Sequence, residues 1–170
     1  MKILIVSDTH GRETNLEKVF AKTGPIDHLI HLGDVEGGED LICTMTEAPV
    51  TMVAGNNDYY SDLPREEIIT IGTYRALLTH GHYYYVGMGH ERLKEEARNK
   101  HVDIVMYGHT HMPCIEQTKG LTILNPGSLS LPRQEGREPS YIVMELDREG
   151  KAHYTICYLK RSILGRRGLW

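Results

Sequence analysis

Five apolar segments of this chain each end on a short polar cluster of a restricted composition. Residues 3–6 form a continuous apolar, β-branched run, as expected of a strand buried on both faces, and Asp8 and His10 follow it directly. The other four clusters are Gly33-Asp34, Gly55-Asn56, His80-Gly81-His82 and Gly108-His109-Thr110-His111. Because ligands bind at the carboxyl ends of strands in open α/β sheets, we expect the five clusters to converge on one crevice.

Strand-like and helical segments alternate in the first part of the chain, and strand-like segments follow one another in the last part. Helices are predicted around residues 15–20, 39–46 and 90–100. Strands are predicted at 3–6, 27–32, 49–54, 67–71, 74–79, 102–106, 114–118, 121–124, 140–146 and 153–159. This order predicts an α/β protein with one largely parallel sheet and a second, antiparallel sheet. Without a repeat or linker, we expect residues 1–170 to form a single domain, with a loosely held basic tail at 161–170.

The composition narrows the function classes. The net charge of −4 and the pI near 6.2 argue against a nucleic-acid or membrane-binding surface, although bound cations would reverse the charge around a small phosphorylated substrate. Cys43, Cys114 and Cys157 are odd in number and form no CxxC pair, so we expect buried thiols in a reducing compartment rather than disulfides or a thiolate zinc site. The first apolar run is too short for a signal peptide, and no segment reaches the ~18 apolar residues of a membrane helix. A cytoplasmic protein without a membrane partner is expected.

The side chains of the five clusters form a mixed nitrogen and oxygen ligand set. Such a set suits borderline to hard divalent ions such as manganese, iron, nickel or zinc. Taken singly, Asp and Asn beside Gly are common turn residues, and only their shared position at strand ends favours a metal site. The ligands are too many for one ion, but they suit two ions about 3.5–4 Å apart that clamp a phosphoryl group. We expect the neighbouring glycines to allow positive φ and a sharp exit from each strand.

In this order, the five clusters resemble the motifs of the calcineurin-like metallophosphoesterase superfamily. The pattern D-x-H, GD, GN-x-D, H-G-H and G-H-x-H appears as Asp8-Thr9-His10, Gly33-Asp34, Gly55-Asn56-Asn57-Asp58, His80-Gly81-His82 and Gly108-His109-Thr110-His111. Asn125-Pro126-Gly127-Ser128 extends the resemblance, which covers nearly the whole chain. Together with its length, the chain resembles the small bacterial and archaeal phosphodiesterase branch of the superfamily. The resemblance implies two mixed β-sheets packed as a sandwich and flanked by helices, a four-layer α/β/β/α fold.

The resemblance also implies a function and a cofactor. Two divalent metal ions would be held, the first by Asp8, His10 and His111, the second by Asn56, His80 and His109, with Asp34 as the bridge. Manganese is the first choice, and nickel, iron or zinc are the alternatives. The implied activity is that of a phosphoesterase, specifically a phosphodiesterase, which hydrolyses a small phosphoester with a water or hydroxide activated between the two metals.

One position departs from the family pattern. Many members carry His at the third position of GN-x-D, where it lies near the scissile phosphate and can protonate the leaving group. Asn57 occupies that position here and has no titratable group, which favours diesters with good leaving groups or protonation through His82. We predict that Asn57 and His82 contact the substrate phosphate. Arg12 has two interpretations, a phosphate contact or a solvated loop residue.

Two other function classes stay open. The retromer complex contains a subunit of this fold that acts chiefly as a protein-binding scaffold, so the fold does not settle the function. A scaffold tends to lose a metal ligand, whereas every expected position here carries a capable residue. A nuclease is disfavoured by the acidic balance and the lack of a basic stripe. Tyr83-Tyr84-Tyr85 would either form an aromatic wall against a ring of the substrate or form an interface patch. Assembly into a homo-oligomer is compatible with the sequence.

Overall fold

The computed structural model describes residues 1–159, which form ten strands, three helices and two short 3₁₀ turns. The strands are β1 (Lys2–Val6), β2 (His28–His31), β3 (Val50–Met52), β4 (Glu66–Ile71), β5 (Tyr74–Thr79), β6 (Ile104–Met106), β7 (Pro113–Thr118), β8 (Leu121–Pro126), β9 (Ser140–Leu146) and β10 (Ala152–Tyr158). The helices are α1 (Thr14–Thr23), α2 (Glu39–Thr44) and α3 (Glu91–Lys100), and the 3₁₀ turns are His82–Tyr84 and Val86–Met88.

The strands form two five-stranded sheets, with the orders β10-β9-β1-β2-β3 and β4-β5-β6-β8-β7. In the first sheet β1, β2 and β3 are parallel, and β9 and β10 add antiparallel pairs. In the second sheet β5, β6 and β8 are parallel, and β4 and β7 pair antiparallel at the two edges. The expected division into one parallel and one antiparallel sheet is therefore wrong, and the two mixed sheets implied by the resemblance are confirmed. The apolar pattern identifies strands, but it does not select the partner of each strand.

The two sheets face each other across the central core. Alternate residues of β1 illustrate the packing: Ile3 and Ile5 belong to the cluster between the sheets, whereas Leu4 and Val6 pack with residues of α1 and α2. Both sets are completely buried. Burial of each such side chain contributes about 1.5–3 kcal/mol relative to an exposed one, so the two faces of β1 hold two layers together.

Helix α3 covers the outer face of the second sheet. Leu93 and Ala97 of this helix pack with Leu77 of β5 and Val105 of β6. Neighbouring residues in the same strands, such as Leu78, point the other way into the core between the sheets. The resulting order of layers is α1 and α2, first sheet, second sheet, α3, which is the predicted four-layer arrangement.

Some local expectations changed. Helix α1 extends beyond the predicted residues 15–20 to Thr23 and ends at Gly24, which has a φ of 69°. Cys43 is exposed and Cys114 and Cys157 are partly exposed, so the prediction of buried thiols is wrong. The predicted loose tail at 161–170 lies outside the described residues, and the single domain of 1–170 stays a prediction. No helix within residues 1–159 is long and apolar enough to cross a membrane.

Candidate metal centre

Four of the predicted ligands lie together at the carboxyl ends of the strands. Asp8, His10, Asp34 and His111 offer ligand atoms that are all within 4.8 Å of one another. Asp8 and His10 follow β1, Asp34 follows β2, and His111 lies in the loop after β6. Asp8 is fully buried, and Asp34 and His111 are almost so. The convergence expected from the strand-end pattern is present in the fold.

The other three predicted ligands lie close to Asp34 or to one another. The Nε2 atom of His80 is 3.5 Å from Asp34 Oδ2 and 3.1 Å from Asn56 Oδ1. The ring of His109 lies 5.2 Å from the ring of His80, measured between centroids. Asp34 Oδ2 therefore lies near a histidine of each predicted group, because the Nε2 atom of His10 is 3.9 Å from it.

Hydrogen bonds fix the orientation of three of these histidines. The Nδ1 atoms of His80 and His111 each lie 2.7 Å from a backbone carbonyl oxygen, those of Leu32 and Leu131. The Nδ1 atom of His10 lies 2.6 Å from the Glu36 carboxylate. Because carbonyl and carboxylate oxygens only accept, each Nδ1–H donates and the Nε2 lone pair of the neutral ring is free for a metal. Glu36 was not among the predicted site residues, because a lone acidic residue in a glycine-containing loop gives no signal.

One buried oxygen tests whether a metal fits this site. Among the described residues, Asp8 Oδ1 is buried and has no hydrogen-bond partner. The Nε2 atom of His111 lies only 3.0 Å from it without forming a hydrogen bond. Two ligands of one cation have this arrangement, because each directs a lone pair at the ion and not at the other ligand. Leaving a buried carboxylate oxygen unpaired is otherwise costly, so the residues present fit a divalent cation.

The charges of the site act strongly on one another. Burial alone would raise the pKa of Asp34, but the hydrogen bond and charge of His80 hold that pKa well below its usual range. Burial likewise opposes the charged form of His80, yet the contact with Asp34 and the charge of Asp8 raise its pKa above the usual value. In the protein without a metal, buried carboxylates thus attract a proton to His80. A metal cation that binds His80 would displace that proton.

Five of the predicted ligands have a left-handed backbone. The φ angles are 56° for Asp8, 50° for His10, 54° for Asp34, 67° for His109 and 59° for His111. Such conformations cost on the order of 1–3 kcal/mol each in non-glycine residues and persist only where surrounding contacts hold them. The hydroxyls of Ser128 and Ser130 both donate to the carbonyl of Asp8, at 2.8 and 2.9 Å. The Asn125–Ser128 motif therefore supports the loop that carries Asp8.

The glycines beside the ligands have two different roles. Gly33 and Gly81 have φ of 95° and 97°, as the sequence analysis expected. Gly55 and Gly108 do not have positive φ, and the expectation is wrong for them. A Cβ atom at Gly55 would overlap the carboxylate and backbone nitrogen of Asp34, and one at Gly108 would overlap the Ser7 hydroxyl. These two positions need glycine because the chains approach each other closely.

Asn57 and His82 lie beside the predicted ligands. Asn57 donates to both oxygens of Asp34, from its backbone nitrogen at 2.9 Å and from its side-chain nitrogen at 2.8 Å. The half-buried ring of His82 packs against the ring of Tyr83 at a tilt of 42°, with centroids 4.0 Å apart. Burial, with the charges of His80 and His109, lowers the pKa of His82 to about 4. The contact of Asn57 and His82 with a substrate phosphate stays a prediction.

A cleft of about 430 Å³ opens over the predicted ligands. Besides His10, Asp34 and His109, its wall includes two arginines, Arg12 and Arg133. Arg133 is held in place by its backbone N–H, which donates to the carbonyl of His111 at 3.0 Å. Arg12 lies at the cleft and is solvent-exposed, which agrees with both of its interpretations, and Arg133 is a cleft residue that the sequence did not indicate. Guanidinium groups at such a position suit a small anionic substrate.

Residues 1–149 match the calcineurin-like phosphoesterase superfamily domain. The chain belongs to this superfamily. A "Probable metallophosphoesterase YsnB" of Bacillus subtilis is 32% identical over 152 residues, covering 88% of this chain and 86% of the relative. The Escherichia coli "Phosphodiesterase YfcE" is 32% identical over 173 residues, covering 86% of this chain and 89% of the relative.

Solved structures support the same assignment of the metallophosphoesterase fold. A phosphoesterase of Streptococcus pneumoniae, described as predicted, has a TM-score of 0.75 at 28% identity, with 93% of this chain and 97% of that one covered. Vps29 of Entamoeba histolytica, solved with Zn²⁺, has a TM-score of 0.74 at 25% identity, with 93% and 99% covered. The family and fold predictions are therefore confirmed. Membership of a metallophosphoesterase family implies divalent metal ions, and Asp8, His10, Asp34 and His111 form a candidate site for them.

Proposed function

We propose that this chain is a phosphodiesterase that binds two divalent metals and hydrolyses a small phosphodiester. The first metal would bind Asp8, His10 and His111, the second Asn56, His80 and His109, with Asp34 shared. The observation that carries the proposal is the orientation of the imidazoles: the Nδ1 atoms of His10, His80 and His111 are occupied, and their Nε2 atoms turn toward Asp8 and Asp34. Manganese is the first choice of metal, and the zinc-bound Vps29 relative supports zinc as an alternative.

The reaction is the addition of water to phosphorus with loss of one ester arm as an alcohol or phenol. When bound, the two ions would lower the pKa of a water toward neutrality and neutralise charge on the phosphoryl oxygens. Arg12 and Arg133 line the cleft and would attract and orient the anionic substrate. Asn57 holds the Asp34 carboxylate through two hydrogen bonds and cannot give a proton to the leaving group. Ester arms that leave as stable anions therefore suit this site best.

A protein-binding scaffold is the second candidate. It is supported by the likeness to Vps29 structures, whose full name, vacuolar protein sorting 29, does not describe an enzyme. The full set of seven predicted ligands and the two arginines of the cleft favour the enzyme. The two candidates differ in one measurable property, metal-dependent turnover.

The test is an assay of the full chain, reconstituted with manganese or zinc, on bis(4-nitrophenyl) phosphate and 4-nitrophenyl phosphate. Wild type should turn over the diester only with metal, and Asp34→Asn and His109→Ala should lower kcat/KM at least about a hundredfold. His153→Ala is the matched control, because the side chain of this exposed histidine pairs with Asp147 at 2.8 Å and is not among the predicted ligands. If wild type binds metal but hydrolyses neither compound, the enzyme proposal fails and the scaffold is favoured.

A further inference from the structure

A second cavity lies next to the cleft over the predicted ligands. Its volume is about 340 Å³, within the lower range of small-molecule sites. It is lined by Ala54, Gly55, Asn56, Asp58, Tyr59, Ser61, Leu63, Arg65, His82 and Tyr83. Asn56 lines both this cavity and the cleft, so the two spaces adjoin at a predicted metal ligand. We call this space the side cavity.

Two exposed tyrosines contribute to the wall of the side cavity. Tyr59 is 79% exposed and Tyr83 is 54% exposed, although each carries a large apolar ring. Two contacts hold the ring of Tyr83 in place: the ring of His82 packs against it at a tilt of 42°, and the guanidinium of Arg65 lies over it, 5.2 Å from the ring centroid. The part of the Tyr83 ring that these contacts leave exposed lies beside a polar cleft, and another aromatic ring can pack against it.

The run Tyr83-Tyr84-Tyr85 does not form one surface, as either interpretation of the sequence assumed. The hydroxyl of Tyr84 donates to the Glu66 carboxylate, which turns this ring away as a structural contact. Tyr85 lies under Arg92, with 4.3 Å from the guanidinium to the ring centroid, and lines a different cavity with Met88. Within the run, Tyr83 alone lines the side cavity in the part of the chain that the structure describes.

We propose that the side cavity binds a planar aromatic group carried on one ester arm of the substrate, with Tyr83 and Tyr59 as stacking surfaces. The inference rests on the proposed function and names its substrate class, an aryl or heteroaryl phosphodiester. A phosphate in the cleft at Asn56 would have one ester arm beside the opening of this cavity. Asp58 does not oppose a neutral ring there, because both of its carboxylate oxygens already accept backbone N–H groups, from Glu36 and Gly55 at 2.7 Å each.

The test measures binding, so that it does not depend on turnover. Phenylphosphonate and cyclohexylphosphonate are titrated by calorimetry into the metal-reconstituted full chain. The two probes share the same acid group and have rings of similar size, and the cyclohexyl ring is the more apolar but cannot stack. Phenylphosphonate should bind about five- to tenfold more tightly. Tyr83→Leu should remove this preference, and Tyr59→Leu should reduce it.

Tyr85→Leu is the matched control, because this neighbouring exposed tyrosine also lies under an arginine but lines another cavity. It should keep the preference of wild type for the phenyl probe. Equal binding of the two probes, binding of neither, or an equal loss in Tyr83→Leu and Tyr85→Leu would overturn the inference. If diesters are hydrolysed but the phenyl probe is not preferred, the inference about the side cavity fails and the proposed function stands. If the phenyl probe is preferred but no diester is hydrolysed, the ring-binding cavity is supported and the proposed phosphodiesterase activity fails.

Discussion

The Nε2 atoms of His10 and His111 lie 3.4 Å apart, although 101 positions separate the two residues in the chain. Their opposite nitrogens are each engaged elsewhere, His10 Nδ1 with the Glu36 carboxylate and His111 Nδ1 with the carbonyl of Leu131. Two neutral rings held in this way bring two lone pairs close together, and these would repel each other without a cation between them. The geometry of the pair is thus set by contacts outside the cluster, before any metal binds.

Replacement of Glu36 by Gln should weaken metal binding. The carboxylate that accepts the His10 Nδ1–H would become a neutral amide, so the ring would be less basic and less firmly oriented. We expect the affinity for the first metal to fall about 10–100-fold, measured by calorimetric titration of the metal-free protein. Asp40→Asn, an exposed acid in the nearby helix α2, is the control for loss of negative charge alone. An equal loss in both variants would show that Glu36 acts only through its charge.

Gly55→Ala should destabilise the protein because the new methyl group has no space beside Asp34. Overpacking of this kind typically costs about 1–3 kcal/mol, and here it would also displace the Asp34 carboxylate. Gly87→Ala is the control, because nothing lies within 4 Å of a Cβ atom at that position and its φ is not positive. Urea unfolding should detect a loss only for Gly55→Ala. Similar stabilities of the two variants would contradict the close approach of the two loops.

Asn57→His should extend the activity to esters with poor leaving groups. The imidazole would place a titratable group where the family pattern has one, and general acid catalysis gains most when the departing oxygen is basic. We expect kcat/KM for alkyl leaving groups to rise at least about tenfold, with little change for 4-nitrophenyl esters. The measurement is the slope of log kcat/KM against leaving-group pKa, which should become shallower.

Asn57→Ala is the control for that experiment. It removes the same hydrogen bond from the side chain of position 57 to Asp34 Oδ2 without supplying an acid. Its slope should stay as steep as that of wild type. If Asn57→His and Asn57→Ala give the same slope, position 57 does not reach the leaving group.

The folded protein should lose stability in mild acid because of its buried histidine, His31. This ring is fully buried, and its Nδ1 atom accepts the N–H of Gly33 at 3.3 Å while Nε2 meets the Thr9 hydroxyl at 3.1 Å. Burial lowers the pKa of His31 from 6.5 to about 4. The unfolded chain therefore takes up a proton first as the pH falls, and stability is lost between about pH 6.5 and 4, by about 3 kcal/mol.

The measurement is the free energy of unfolding of the metal-free protein in a chelator at several pH values between 7 and 4.5. His31→Gln should be less stable at pH 7 and should lose less stability on acidification than wild type. His153→Gln removes an exposed histidine and should keep the pH dependence of wild type. Parallel curves for wild type and His31→Gln would show that folding does not change the pKa of His31.

Much of the site could be predicted because its signals are local in the chain. Asp8 and His10 follow one apolar strand, and His109 and His111 follow another, so strand ends alone indicated where the clusters would meet. Glu36 and Arg133 carried no such signal. They belong to the site only because the loops after β2 and β8 come close to His10 and His111 in the fold.

The sequence by itself determined the strands, the residue types of the metal cluster and the family, because apolar periodicity and short motifs are properties of neighbouring residues. The tertiary structure decided the pairing of β5 with β6, the left-handed backbone of Asp8 and Asp34, and the close approach of Gly55 to Asp34. It also separated Tyr83 from Tyr85, which local sequence treats as equivalent. Each of these depends on contacts between distant segments, and such contacts arise only when the sheets pack against each other and the helices.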